Sequence, residues 1–226
     1  MSEIVIGEDG LARPPWAATD PLLRDYYDTE WGMPVRDERG VFERLSLEAF
    51  QSGLSWATIL RKRPAFREAF AGFDHEVVAG FDERDVERLL GDAGIVRHRG
   101  KIAATIDLAR LSRRLRSEGS SLSGLVWSFA PPPRPSPLDP TAELPASTPE
   151  SVAMSKDLKR RGWRFVGPTT AYAFQQAMGL VNDHDADLLV VGNRGINSLT
   201  GRLLGSVPAD VARQSDCDVM IVHTVA

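Results

Sequence analysis

The sequence predicts a mainly α-helical bundle that ends in a short βαβ appendage, and three observations carry that prediction. Apolar residues from Trp16 to Phe129 recur at spacings of three and four, with no useful stretch of period two. A proline-rich stretch, residues 131–149, interrupts this pattern, and helical periodicity then resumes up to about residue 180. Beyond His184 the texture changes to two β-branched runs flanking a helical pattern.

Residues 1–12 read as a loose leader. Val41, Leu45, Leu47, Phe50, Leu54 and Ile59 lie at helical spacing and predict one or two amphipathic helices. Pro64 marks a break, after which residues 65–73 form a further short helix. The stretch 82–90 opens with acidic residues, as a helix N-terminus favours, and 101–115 ends in the basic turn Arg113, Arg114 and Arg116. Eight of the chain's 15 prolines fall within 131–149, which makes that stretch an extended loop. It serves either as a linker or as an excursion within one domain. From Ser155, a cap residue, a helix runs to Gly162; Gly167 and Pro168 turn the chain, and Thr169 or Thr170 caps the next helix. In the tail, 187–192 and 218–224 read as strands on either side of a helix over 198–214, a βαβ unit.

Composition bounds the function. With 42% hydrophobic and 26% charged residues, the chain has material for a core. A formal net charge of −4 excludes a uniformly basic nucleic-acid coat but not local basic patches. The single cysteine, Cys217, excludes an intramolecular disulfide and a cysteine-rich zinc module. The first ten residues hold three acidic groups and no signal-length apolar run, and no stretch nears the ~18 apolar residues of a membrane span. A cytoplasmic protein without membrane contact is the expectation.

Four constellations could carry chemistry. In LEAFQSGLSW, Glu48, Ser52 and Trp56 would share one face of a single helix. That face is either a solvated glutamate with a core indole, or a pocket for a flat cationic ring stacked on the indole with its edge on the carboxylate. Between Pro14 and Gly32 lie Trp16, Tyr26, Tyr27 and Trp31 among polar and acidic neighbours, a composition suited to core packing or, better, to a cavity lining. Residues 156–164 carry five Lys/Arg and one Asp. The turn from Gly162 to Gly167 offers amides for a phosphate oxygen, flanked by Lys159, Arg160 and Arg161. A solvated basic face is the plain alternative. Arg61, Lys62, Arg63 and Arg67, with Arg97, Arg99 and Lys101, would extend this into a basic surface. In the tail, Gly192, Gly195, Gly205 and Ser206 form a G-x2-G-x9-G-S pattern after a strand, a weak phosphate-binding signal.

The stretches RPPWAATDPLLRDYYDTEWGMP, VFERLSLEAFQSGLSWATILRKR, DAGIVRHRGKI, VWSF and SKDLKRRGWRFVGPTTAYAFQQAMGLVNDH are similar to the DNA-3-methyladenine glycosylase I family of the helix-hairpin-helix superfamily. The resemblance covers residues 13–184, and in it the proline-rich stretch becomes a variable loop within one domain. It implies a helix-hairpin-helix glycosylase bundle that hydrolyses the N-glycosidic bond of 3-methyladenine in alkylated double-stranded DNA. Carried across residue by residue, the base-recognition carboxylate falls on Glu48, the stacking indole on Trp56 and the pocket tyrosine on Tyr26. Trp16 and Trp31 match further pocket aromatics. Gly53 and Leu54 match the segment set against the gap left by the flipped nucleotide. Lys159 to Thr170, with Gly162, Gly167 and Thr169, matches the DNA-contacting hairpin.

The sequence departs from that family in two places. The family holds zinc with two cysteines and two histidines; here Pro14, Tyr27 and Leu188 stand at three ligand positions and only His184 is kept. No zinc or other cofactor is expected, and packing of Pro14 and Tyr27 takes over the role of the metal. The tail, residues 185–226, resembles the C-terminal part of a universal stress protein, with the earlier strands of that domain missing. Self-association through its strands is one consequence. Two rival functions remain: a binding module for alkylated DNA without turnover, and a nucleotide-binding stress protein acting through the tail.

Overall fold

The computed structural model describes residues 5–132, 145–181, 188–194 and 218–224. The chain divides into two compact units: residues 1–132 with 141–182, and residues 133–140 with 183–226.

The first unit is helical. A two-residue strand pair, β1 (Val5–Ile6) and β2 (Ala12–Arg13), precedes ten α-helices and one 3-10 turn (Ala71–Phe73) among the described residues. This pairing corrects the expected loose leader, which is structured from Val5 onward; strands so short carry no periodicity to read. The helices are α1 (Pro15–Ala18), α2 (Pro21–Thr29), α3 (Glu38–Gln51), α4 (Trp56–Ala69), α5 (His75–Val78), α6 (Glu83–Gly91), α7 (Arg99–Ser117), α8 (Leu122–Trp127), α9 (Pro149–Arg160) and α10 (Pro168–Ala177). Their starts are fixed locally. Asp20, Asp37, Ser55, Asp82, His98, Ser121 and Thr148 each accept from a backbone N–H of the first turn, which satisfies donors a helix start leaves free.

The core is aromatic where α3 meets α4. The Phe50 and Phe66 rings lie 4.6 Å apart, and Phe70 stacks on Phe73 at 5.8 Å. Along α7, Ile102, Leu108 and Leu111 are buried, and the Trp163 indole N–H donates to Ala104 O at 3.1 Å.

Several local expectations are corrected. Pro64 does not break α4, which runs through it. Pro64 is exposed, and the buried Ile59, Leu60 and Phe66 on either side of it hold the helix to the core. The segment expected from Ser155 begins earlier, with Thr148 as cap and Pro149 in the first turn. Ser155 is a buried interior residue whose hydroxyl donates to Val166 O at 2.9 Å. Neither Thr169 nor Thr170 caps α10; Gly167 holds the cap position with no side-chain bond.

In the second unit, β3 (Leu188–Arg194) and β4 (Asp218–Thr224) pair in parallel, Leu188 opposite Asp218 and Arg194 opposite Thr224. The helix expected over 198–214 lies outside the described residues, as do Gly195, Gly205, Ser206 and His184; Gly192 pairs with Val222 in the strands. Among the described residues no helix is long and apolar enough to cross a membrane.

Candidate base-recognition site and nucleic-acid interface

Glu48 sits near the C-terminal end of α3 and Trp56 begins α4, so the single helical face expected for Glu48, Ser52 and Trp56 does not exist. Ser52 ends α3, Gly53 turns the chain at φ +81°, and Ser55 caps the next helix. The fold still associates the carboxylate, the indole and a phenol. Tyr26, on α2, is buried, and its ring lies 5.4 Å from that of Trp56 at an interplanar angle of 53°. Burial raises the Tyr26 hydroxyl pKa, and the nearby Glu48 charge raises it further.

Glu48 is only 5% exposed. Burial pushes its carboxyl from an ordinary 4.5 up to about 8, and Arg44 one turn back offsets this only in part. Its Oε2 and the Trp56 indole N–H are both buried without a hydrogen-bond partner. Both residues neighbour Tyr26, Trp56 through its ring and Glu48 through its charge. An unmet buried polar atom costs about 1–3 kcal/mol, so each of these two side chains is a candidate for a ligand contact.

Beside Tyr26 and Trp56 is a network that the sequence did not disclose. Glu30 accepts a two-bond contact from Arg63 at 2.7 and 2.5 Å, and Arg44 donates to Ala177 O at 2.9 Å. Tyr26, Leu47, Trp56, Glu30, Arg44 and Arg63 help to line a cavity of about 200 Å³. Arg44 also pairs with Glu30 at 3.6 Å, and partners 14 to 133 residues apart leave no local pattern to read.

Trp16 and Trp31 are placed elsewhere in the aromatic set. Trp16 meets Tyr27 edge-on at 5.4 Å and Trp31 at 6.1 Å, while Tyr27 stacks on Trp31 at 5.5 Å and 22°. These three rings touch one another, and no ring contact joins them to Tyr26 or Trp56. Trp16 is 39% exposed, so part of the cluster faces solvent.

The donor set at the expected metal position does not suit zinc. Pro14 has no ligating side-chain atom, and Tyr27 is held in the ring stack with its hydroxyl pKa raised by burial. The carboxylate next in sequence, Asp28, is engaged: it and Asp9 hold the Arg13 guanidinium through four hydrogen bonds of 2.7–3.0 Å. Among the described residues no group of three His, Cys, Asp or Glu is arranged to hold a metal.

The turn between α9 and α10 is tightly built. At the end of α9, Gly162 N donates to Lys159 O and Trp163 N to Leu158 O, with Gly162 at φ +96°. This closure needs a left-handed residue, which glycine supplies without strain. Phe165 also takes positive φ, and its ring meets His98 edge-on at 5.7 Å.

The continuous basic surface expected from the sequence is largely neutralised. Arg160 and Arg161 both pair with Asp157, and Arg164 with Asp107. Arg61 pairs with Asp20, Arg63 with Glu30, Arg67 with Glu43, and Arg99 with Glu83 and Glu87. Lys62 donates to two backbone carbonyls, and Lys101 is buried. Lys159 and Arg97 are exposed and form no ion pair among the described residues. Leu54, in the turn between α3 and α4, is a large apolar side chain left 41% exposed.

Known proteins resemble both parts of this chain. A family model for methyladenine glycosylase matches residues 16–190, and one for the universal stress protein family matches residues 175–223. The chain is 47% identical over 175 residues to DNA-3-methyladenine glycosylase 1 of Escherichia coli, covering 77% of this chain and 94% of that one. A glycosylase from Haemophilus influenzae is 40% identical over 173 residues, with 76% and 94% covered. A crystal structure of a 3-methyladenine DNA glycosylase I superposes with a TM-score of 0.71 at 47% identity, over 75% of this chain and 94% of the other. The Staphylococcus aureus enzyme, solved to explain its recognition of 3-methyladenine, gives 0.66 at 35% identity, over 74% and 89%. The tail is 57% identical over 47 residues to a universal stress protein of Mycobacterium tuberculosis, only 32% of that protein's length.

Proposed function

Since the chain belongs to the methyladenine glycosylase family, we propose that it removes 3-methyladenine from alkylated double-stranded DNA as a base-excision repair hydrolase, with Glu48, Tyr26 and Trp56 as its base pocket. The observation that carries the pocket is the pair of unmet polar atoms, Glu48 Oε2 and Trp56 Nε1, beside the Tyr26 ring. Methylation at N3 makes adenine cationic. Its exocyclic amino group is a donor for an anionic carboxylate, its charge favours that anion, and its flat face complements the two aromatic rings.

The chemistry rests on the same charge. The nucleotide leaves the stack and enters the pocket. Water adds to the sugar C1′, the electrons of the C1′–N9 bond return to the cationic base, and neutral 3-methyladenine departs. The proton lost by the water passes to solvent. No strong acid is needed for such a leaving group, so recognition dominates. Entry of the cation favours ionised Glu48 and expels the proton that burial retains on the empty site.

On the DNA side, Leu54 and Gly53 fill the gap left by the extruded nucleotide. Gly162, Gly167, Thr169 and Thr170 with Lys159, Arg160 and Arg161 dock one strand's phosphates. The exposed Leu54 and the exposed Lys159, unpaired among the described residues, support this docking. Trp16 and Trp31 form an outer aromatic rim with Tyr27. Arg13, fastened to Asp9 and Asp28, ties the first residues to α2, where the family uses zinc.

The tail is a universal stress protein fragment of βαβ form fused behind a glycosylase domain in a cytoplasmic protein. Its β3–β4 pair has no third strand among the described residues, which supports self-association through a strand edge. Nucleotide binding through Gly192, Gly195, Gly205 and Ser206 remains a secondary property of the same fragment.

Incubating the full chain with methylated duplex DNA tests the main reading. Free 3-methyladenine is the expected product. Folded protein that binds the duplex and releases no base would leave a binding module instead.

A further inference from the structure

Lys101 differs from the other cations of this chain. It lies in the first turn of α7 and is 6% exposed. Its ammonium crosses to the end of α3, where Nζ donates to Phe50 O at 2.9 Å and to Ser52 O at 2.5 Å. Those carbonyls belong to the last turn of a helix, where acceptors lack intrahelical partners and the dipole is negative. Burial pulls the Lys101 pKa down from its ordinary value, as expected for a cation held by neutral dipoles and no carboxylate.

The ammonium thereby anchors the start of a tight turn. Immediately after Ser52, Gly53 turns the chain, Leu54 N donates to Gln51 O at 2.6 Å, and Ser55 caps α4 through Thr58 N. The turn bearing the exposed Leu54 is thus bounded by the Lys101 clamp on one side and a helix cap on the other. The same start of α7 also reaches the α9–α10 turn. His98 Nδ1 accepts from Lys101 N at 3.2 Å, and the His98 ring packs on Phe165.

We propose that Lys101 is a positioning residue for nucleotide extrusion: seated on the carbonyls of Phe50 and Ser52, it holds the Gly53–Leu54 turn in register with the 162–167 turn, so that both engage one lesion. The proposal rests on the glycosylase reading above. Lys101 touches neither base nor sugar; it acts through the turn. Its charge also offsets the negative end of α3 on the side where phosphates approach.

A double-mutant cycle tests this. Single-turnover base release from methylated duplex and binding of free 3-methyladenine are measured for wild type, Lys101→Met, Leu54→Ala and the pair. Loss of the clamp should slow release ~10- to 100-fold, the effect of a small misplacement of a reacting group. Free-base binding should stay within about twofold, and Lys101→Met should add little once Leu54 is truncated, because the two act as one unit. Lys101→Gln, which keeps donors without charge, serves the same comparison if Lys101→Met does not fold. Unchanged release, fully additive losses, or base binding that falls in step with release would each overturn the proposal while leaving the glycosylase intact. A wild type that releases no base would instead remove the underlying reading.

Discussion

Replacing Glu48 by glutamine should stabilise the protein, and increasingly so as pH rises. The carboxyl has an ordinary pKa of 4.5 and is pushed up to about 8 in the folded state, chiefly by burial. The native protein therefore holds a proton that the unfolded chain releases between those values. Stability is greatest below the unfolded pKa and declines as pH climbs towards 8. At about 1.4 kcal/mol per tenfold difference in proton affinity, the full decline is about 5 kcal/mol, of which about 3 kcal/mol is reached at pH 7. Glu48→Gln keeps the shape and abolishes the titration. Denaturant unfolding of both proteins, followed by helical circular dichroism from pH 5 to 9, should show a gap that is small at pH 5 and widens to several kcal/mol. A gap independent of pH, or a wild type that gains stability towards pH 8 relative to the variant, would refute the claim that burial controls this carboxyl.

The same group should shape the pH profile of catalysis: kcat/KM rises with pH up to about 8, reporting Glu48 in the free enzyme, and Arg44→Met moves the rise upward by removing the one charge that favours the anion. A profile flat from pH 6 to 9 would contradict this. Phe66→Ala, in the middle of the α3–α4 aromatic core, should cost about 3–5 kcal/mol in denaturant unfolding; a cost under ~1 kcal/mol would mean that the site collapses around the loss. Metal analysis of the purified protein should find no stoichiometric zinc, and a chelator should leave unfolding unchanged. A bound ion lost together with stability would show that other donors replace the missing ones.

Much of the helical unit was readable because its elements announce themselves locally. Asp82 and Asp85 form a reciprocal cap, and Gly162 closes a helix that the pattern ended there. The chain through Pro64 was not readable, because the local cost of the proline is outweighed by core packing of Ile59, Leu60 and Phe66, which no local pattern encodes. Glu48 and Trp56 were grouped for a reason that proved wrong in detail. Their spacing suggested one helix, whereas a turn at Gly53 and packing on α2 bring them to Tyr26. The charge pattern misled most. Arginines at 61, 63, 67 and 99 read as a basic surface, yet their partners at 20, 30, 43, 83 and 87 are distant in sequence and only folding pairs them. Lys101, counted among those surface cations, is buried against two carbonyls some fifty residues away, a contact that no local pattern encodes.

Single-turnover release of free 3-methyladenine from methylated duplex DNA, by the full chain and by Glu48→Gln side by side, tests the central claim most directly. Removing the anion from a buried charge pair costs about 2–5 kcal/mol, so the variant should release base at least ~30-fold more slowly while still binding duplex. Equal rates for the two proteins would show that the open carboxylate oxygen is not where the base is read.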